Sequence, residues 1–306
     1  MKAIQLTEIN NIEIRNLAIP TPESDEVLVK IASVGVNPVD WKIASGQLAQ
    51  LIDQPLPLTL GWDFSGEVVE DANGFKKGDK VYGMKQIGKE GSLSEYSVIK
   101  TSQLSIAPQH IPLEHAAALP MVALTSWQAL FGAGKLDRNQ RVLIQAGAGG
   151  IGSVAVQLAK IMGAYVIATT SAKNKDYVLE LGADEVINYE NESVVDVLKD
   201  NPVDVVFESL WGQFQLDAIQ VLKPAGKLVS ISGVMQEAEQ AAKEAGVSAE
   251  FVFVQCNSDQ LRNISELVDS QQLKVTVSRE YQAQDIHSAY EESKLGHVRG
   301  KLILRF

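Results

Sequence analysis

The sequence predicts an α/β protein in which a doubly wound parallel sheet is joined to a β-rich domain. Three observations carry that prediction. From about residue 140 apolar strands alternate with helical patterns. Residues 1 to about 110 instead read as short strands with turn punctuation. Between them, "LIQAGAGGIGSVAVQLAK" (143–160) sets a glycine-rich turn between an apolar strand and an apolar-periodic helix.

In order along the chain, "MKAIQLTEIN" alternates apolar and polar residues as a strand does and lacks the long apolar stretch of a secretory signal. "EVLVKIASVGV" (26–36) and "GEVVE" (66–70) read as strands, "FKKGDKVYG" as a turn feeding a strand, and "LSEYSVIK" as another. "LEHAAALPMVALTSWQALF" (113–131) reads as a helix interrupted at Pro120, which lacks a donor and clashes with the preceding turn. "RVLIQA", "YVIATT", "DEVINY", "VDVVFE", "KLVSISG" and "EFVFVQ" are the strands of the parallel sheet. Ile151, Val154, Ala155, Leu158, Ala159 and Met162 recur at helical spacing, closed by Gly163 as a C-cap. After a helix near 258–270, "LKVTVSREY", a helix around 285–294 and "KLILRF" return to the texture of the first domain.

Composition bounds the function. At 306 residues the chain holds two domains with a sizeable core, and 45% hydrophobic with 21% charged residues describes a globular protein. A net charge of -11 argues against nucleic acid or an anionic membrane as the main partner, because phosphate would be repelled. Cys256 is the single cysteine, which excludes an intrachain disulfide and a multi-cysteine zinc site and suits a reducing compartment. No run is expected to match the roughly 20 apolar residues of a membrane span, so the expected location is cytoplasmic. No repeat period is present.

The glycine turn has a steric and an electrostatic consequence. Gly147 is expected to make the tight turn, Gly149 to let a ligand approach the chain, and Gly152 to let the helix pack on its strand. A helix beginning near Gly150 points free N–H groups at whatever lies above, favouring a pyrophosphate on Gly147, Ala148, Gly149, Gly150 and Ile151. An acid about 20 residues on would bind the ribose hydroxyls of NAD. Here the chain reads "ATTSAKNK", and Asp176 comes too late. Thr170, the Ser171 hydroxyl and the ammonium of Lys173 or Lys175 instead suit a 2′-phosphate, pointing to NADP(H), although the lysines also suit a solvated helix start. Tyr189 either covers the adenine-ribose side or packs in the core.

Taken with "GVNPVDWKIASG" (35–46), "LGWDFSGEV" (60–68), "GDKVYG" (78–83), "LTSWQAL" (124–130), "LGADEVINY" (181–189) and "GHVRGKLIL" (296–304), the chain resembles the medium-chain dehydrogenase/reductase superfamily, in particular its zinc-free, zeta-crystallin-like NADPH:quinone oxidoreductase branch. The resemblance implies a GroES-like catalytic domain formed by 1–118 and 271–306, a Rossmann domain over 119–270, and substrate in the cleft between them. It also implies that a cysteine of the zinc-dependent relatives is replaced by Asn37 and a histidine by Trp62, so no metal is expected.

Without a Lewis acid, conjugated acceptors are the favoured substrates, because a quinone or an α,β-unsaturated carbonyl spreads incoming hydride charge through its own π system. By resemblance, Asn37 faces the nicotinamide ribose, although it equally suits a helix cap. Asp40 orders the loop. Lys42 donates to the acceptor carbonyl or is an ordinary surface lysine, and Thr125 contacts nicotinamide or bonds its own helix. Ligands lie outside the C-terminal ends of the strands, which nominates Ser209, Leu210, Ser232, Gly233, Phe253 and Val254 for the nicotinamide half. Gly300 and Lys301 resemble the segment that returns to the cofactor. Trp41, Trp62 and Tyr82 are candidates for an apolar acceptor pocket or for the core. "VSAEFVFVQ" supplies an edge strand that, by resemblance, pairs a homodimer. The expected activity is hydride transfer from NADPH to a quinone or enone. The alternatives are a dedicated alkenal or enone double-bond reductase and an NADPH-binding protein with vestigial turnover.

Overall fold

The structure, a computed structural model, describes all residues from Met1 to Phe306. Cα packing divides the chain into two units, Met1–Leu124 with Gln255–Phe306, and Thr125–Val254.

The first unit opens with β1 (Lys2–Glu8), β2 (Asn11–Asn16), β3 (Glu26–Val36) and the short helix α1 (Pro38–Ala44). It continues through β4 (Leu58–Thr59), β5 (Asp63–Val68), β6 (Lys80–Met84), β7 (Tyr96–Lys100) and β8 (Leu104–Ile106) to α2 (Leu113–Ala116) and α3 (Pro120–Trp127). The helical break falls at Pro120, as its missing N–H requires. The whole run Leu113–Ala133 reaches the length and hydropathy of a membrane span, contrary to expectation. Its apolar residues Ala116–Leu119 and Val122–Leu124 are nevertheless buried in protein, which accounts for the composition without a bilayer.

In the second unit β9 (Arg141–Ile144), α4 (Gly150–Met162), β10 (Tyr165–Thr170), α5 (Lys175–Glu180), β11 (Glu185–Asn188) and α6 (Val194–Leu198) alternate, followed by β12 (Val203–Glu208), α7 (Gln213–Gln220), β13 (Leu222–Ser230), α8 (Gln236–Ala245) and β14 (Ser248–Phe251). All neighbours pair in parallel, in the order β11-β10-β9-β12-β13-β14. This is a doubly wound sheet whose strand order reverses between β9 and β12, beside the turn after β9, the kind of place where such sheets bind ligands. Leu143, Ile167, Ile187, Val206 and Leu228 form one apolar face, covered by Ala218, Ile219, Ala238 and Ala242. Burial on both faces explains why these strands read as continuous apolar runs.

The chain then returns through α9 (Ser258–Asp269), β15 (Val277–Gln282), α10 (Ile286–Lys294) and β16 (Lys301–Arg305). The second sheet of the first unit runs β15-β16-β3-β5-β6-β8, with β7 also paired to β3. The unit boundaries therefore differ from 118/119 and 270/271. α9 belongs with the first unit because Tyr82 donates to Leu261 O (2.6 Å) and the Ser265 hydroxyl to Ile106 O (2.9 Å).

Candidate active site

In the second unit the turn after β9 is built by Ala146, not by Gly147 as expected: Ala146 takes the left-handed conformation at φ 54°. Its N–H is held by the Thr169 hydroxyl (3.0 Å), and the next N–H, of Gly147, by Thr169 O (2.8 Å). Gly147 must be bare for another reason, since a Cβ there would stand 2.9 Å from Ala168 Cβ. A Cβ on Gly152 would meet Ala146 O at 2.2 Å, so that glycine sets the close approach of α4 to the turn. Gly149 differs: a Cβ there would meet only Ala146 O, at 3.4 Å, and its other side is open. No side chain caps α4, so the first-turn N–H groups of Gly150, Ile151 and Gly152, next to the half-exposed Gly149–Ile151 surface, are available to an anion. These residues fit the pyrophosphate of a dinucleotide.

At the end of β10, Thr170 and Ser171 are buried, while Lys175 at the start of α5 is exposed and makes no ion pair. The Ser171 hydroxyl accepts from Asn174 Nδ2 (3.3 Å). Tyr189 is 54% exposed beyond β11, which removes it from the core. The sequence concealed Glu190, whose Oε2 accepts the Ala172 N–H (2.9 Å) beside this corner. It lies in the wrong stretch of sequence for the ribose acid and arrives only through the β10–β11 pairing.

The other strand ends lie along the same edge of the sheet. Ser209 and Leu210 follow β12, Ser232 and Gly233 follow β13, and Phe253 and Val254 follow β14. Their loops share a second residue that sequence reasoning missed. Glu208 is fully buried, and its carboxylate accepts the N–H groups of Leu210 and Trp211, Gln215 Nε2 (2.9 Å), Ser230 Oγ (2.6 Å) and Ser232 Oγ (3.1 Å). A buried carboxylate requires such a full set of donors, and in return it fixes the shape of both loops.

In the first unit Asn37, Asp40, Asp63 and Lys301 form a buried ionic cluster. β3 delivers Asn37 at its end, α1 delivers Asp40, and β5 and β16, paired on either side of β3, deliver Asp63 and Lys301. Asn37 Nδ2 donates to Asp63 Oδ2 (2.8 Å), and Lys301 Nζ donates to Asn37 Oδ1 and to Val36 O (2.6 Å). The Met121 N–H bonds Asp63 Oδ1 (2.8 Å), and the Asn37 N–H bonds Asp40 Oδ2 (2.7 Å). Asp40 Oδ1 is buried with no partner.

Burial dominates the titration of the cluster. It lifts Asp40 to about 8, against the Asn37 N–H and the Lys301 charge, with Asp63 adding to the rise. Asp63 is lifted less, to about 6, because Lys301, Asn37 and the Met121 N–H favour its ionised form. Burial lowers Lys301 against the opposing pull of both carboxylates. A protonated Asp40 leaves one ammonium opposite one carboxylate, the cheapest arrangement in a dry interior.

The cluster revises three expectations. Asn37 stands at the N-cap position of α1, but its amide is turned to Asp63 and Lys301. Lys301 is spent on the cluster and is 5% exposed, whereas Gly300 makes a left-handed turn (φ 72°) against Thr276. Trp62 and Tyr82 are fully buried, with the Trp62 indole N–H on Lys89 O (2.9 Å) and the Tyr82 hydroxyl on Leu261 O. They are core residues, because an interior this dense leaves no face for an acceptor. Trp41 and Lys42 are half-buried instead: Trp41 Nε1 bonds Ser293 Oγ (3.2 Å), and Lys42 Nζ lies 5.6 Å from the Trp41 ring centroid. Thr125, at the start of the second unit, is 4% exposed within α3.

A zinc ion does not fit these residues. Around Asn37, whose own carboxamide is engaged, stand an ammonium and only two carboxylates, and nowhere do three or more His, Cys, Asp or Glu side chains converge as a ligand set. An ammonium at this place repels a dication, and an indole offers it no lone pair.

Residues 23–109 match the family described as the alcohol dehydrogenase GroES-like domain, and residues 181–304 the family described as zinc-binding dehydrogenase. The chain is 33% identical to a chloroplastic quinone-oxidoreductase homolog of Spinacia oleracea, over 94% of this chain and 92% of that protein. It is 31% identical to a chloroplastic NADPH-dependent alkenal/one oxidoreductase of Arabidopsis thaliana, over 99% and 79% respectively. Among solved structures, the quinone oxidoreductase from Coxiella burnetii superposes with a TM-score of 0.93 at 32% identity, covering 100% of this chain and 99% of that one.

Proposed function

Because the chain belongs to the medium-chain dehydrogenase/reductase superfamily, in its quinone oxidoreductase-like branch, we propose that it transfers hydride from NADPH to a quinone or another α,β-unsaturated carbonyl without a metal. The observation that carries this reading is the uncapped start of α4 over the open side of Gly149, at the point where the strand order of a doubly wound sheet reverses. Such a site takes a dinucleotide. When bound, the coenzyme would supply a hydride, that is, an electron pair with one proton, which the acceptor would take up together with one proton from solvent.

This chain's own residues bind, orient and polarise. The N–H groups of Gly150, Ile151 and Gly152 hold the pyrophosphate, and Ser171 with Lys175 binds the 2′-phosphate, supported by the exposed and unpaired state of that lysine. Asn37 retains one free Oδ1 lone pair, suited to a ribose hydroxyl. The ammonium of Lys42, held beside the Trp41 ring, donates to the acceptor oxygen as enolate or quinol charge develops. The donor set described above supports the absence of zinc. A cytoplasmic homodimer belongs to the same reading, with the edge of β14 and the exposed Phe251 as the joining strand.

A dedicated alkenal or enone reductase is the second reading, favoured by the likeness to the alkenal/one oxidoreductase. Coenzyme oxidation followed with a panel of 1,4-quinones and 2-alkenals, before and after prolonged chelation, tests both. The proposal expects turnover of at least one class, indifferent to the chelator. Turnover restricted to 2-alkenals selects the second reading. Tight NADPH binding without turnover of any acceptor selects a binding protein, and activity lost to chelation and restored by zinc contradicts the metal-free site.

A further inference from the structure

Trp211 has a backbone conformation that its side chain disfavours. Its φ is 64°, in the left-handed region where a bulky residue is an outlier, and Gly212 follows at φ 70°. A glycine at 211 would make the same turn without strain. The buried Glu208 carboxylate holds the turn in place by accepting the backbone N–H groups of both Leu210 and Trp211. Burial of the indole is not what this conformation achieves, because Trp211 is 45% exposed. The ring lies across Gly233, where a Cβ would stand 2.9 Å from Trp211 Cζ3. A bare Cα at 233 and a strained backbone at 211 together set one flat aromatic surface over the C-terminal ends of β12 and β13.

We propose that Trp211 is a coenzyme-binding residue whose indole packs against the nicotinamide ring. The inference rests on the coenzyme reading above and adds the residue that recognises the reacting end. Strain that the fold does not need persists where a ligand uses it. An indole face offers a planar, polarisable surface to a planar ring, while the loop's polar groups are already satisfied by Glu208 and cannot compete for it.

The test compares the wild type with Trp211→Gly and Trp211→Phe by equilibrium binding of NADPH and of 2′,5′-ADP, a fragment that lacks nicotinamide. NADH and ADP form a parallel pair, and thermal unfolding is measured on each variant. Trp211→Gly is expected to weaken NADPH about tenfold, to leave 2′,5′-ADP unchanged, and not to lower Tm, since glycine relieves the left-handed residue. Trp211→Phe is expected to keep most of the NADPH affinity. NADPH affinity unchanged in Trp211→Gly, or a loss shared equally by 2′,5′-ADP, overturns the inference. A wild type that binds neither dinucleotide overturns the coenzyme assignment itself, and the inference with it, a result distinct from both.

Discussion

The two units solve opposite problems with opposite materials. The turn after β9 and the start of α4 offer backbone alone: the N–H groups of Ala146 and Gly147 are tied to Thr169, while the first-turn N–H groups of α4 have no side-chain cap. The Asn37 cluster does the reverse, packing two acids, one base and an amide into a dry interior and satisfying nearly all of them internally. In the proposed function the first is open to the coenzyme. The second is closed, so its ionisable groups act on one another and on the position of Asn37.

This contrast is broken most severely by Lys301→Met. Removing the base leaves Asp63 buried without its counter-charge, an expected loss of about 3–5 kcal/mol by urea unfolding. Replacing both partners in Lys301→Met/Asp63→Asn should recover much of it, because an absent pair costs less than a broken one. Equal losses in the two variants would mean that packing, not charge, holds the cluster.

Next in size is the difference between neighbouring glycines. Gly152→Ala drives a Cβ to 2.2 Å from Ala146 O and should cost about 1–3 kcal/mol. Gly149→Ala meets ordinary contact only, so its unfolding midpoint should stay near wild type while KM for NADPH rises. A stability loss in Gly149→Ala would show that its open side serves the fold.

A pH series sharpens the other half of the comparison. Asp40 is lifted to about 8 in the folded chain, so the native state keeps a proton that the unfolded chain releases at the ordinary carboxylate value. Stability from this group therefore falls as pH rises from about 4 to about 8, by at most about 1.4 kcal/mol per pH unit. The raised Asp63 acts in the same sense up to about 6. Asp40→Asn cannot titrate, so its stability relative to wild type should grow between pH 5 and pH 8. A constant difference contradicts the burial argument. The smallest effect is expected from the exposed Lys175→Ala, which should weaken NADPH about tenfold and leave NADH unchanged; equal losses for both would remove Lys175 from the 2′-phosphate.

What could be read beforehand follows from the same contrast. The parallel sheet, the α4 turn and the Gly163 cap were legible because period and glycine spacing are local signals, and Gly163 does adopt φ 90°. The family resemblance likewise lies in short local segments that follow one another along the chain. The role of Lys301 was not legible, because Asp63 and Lys301 meet Asn37 only through strands paired across most of the chain length. Glu208 and Glu190 were hidden for the same reason: a carboxylate becomes a hub or a loop clasp only when tertiary pairing brings donors to it. Trp62 and Tyr82 failed as pocket candidates because an aromatic side chain suits a core and a binding wall equally well in sequence.

The central claim is that a phosphorylated nicotinamide coenzyme sits on the bare turn and the open start of α4. Calorimetric titration of the folded protein with NADPH tests it most directly. A saturable transition with one coenzyme per chain is the result this account predicts, whereas no heat of binding at millimolar NADPH would contradict it.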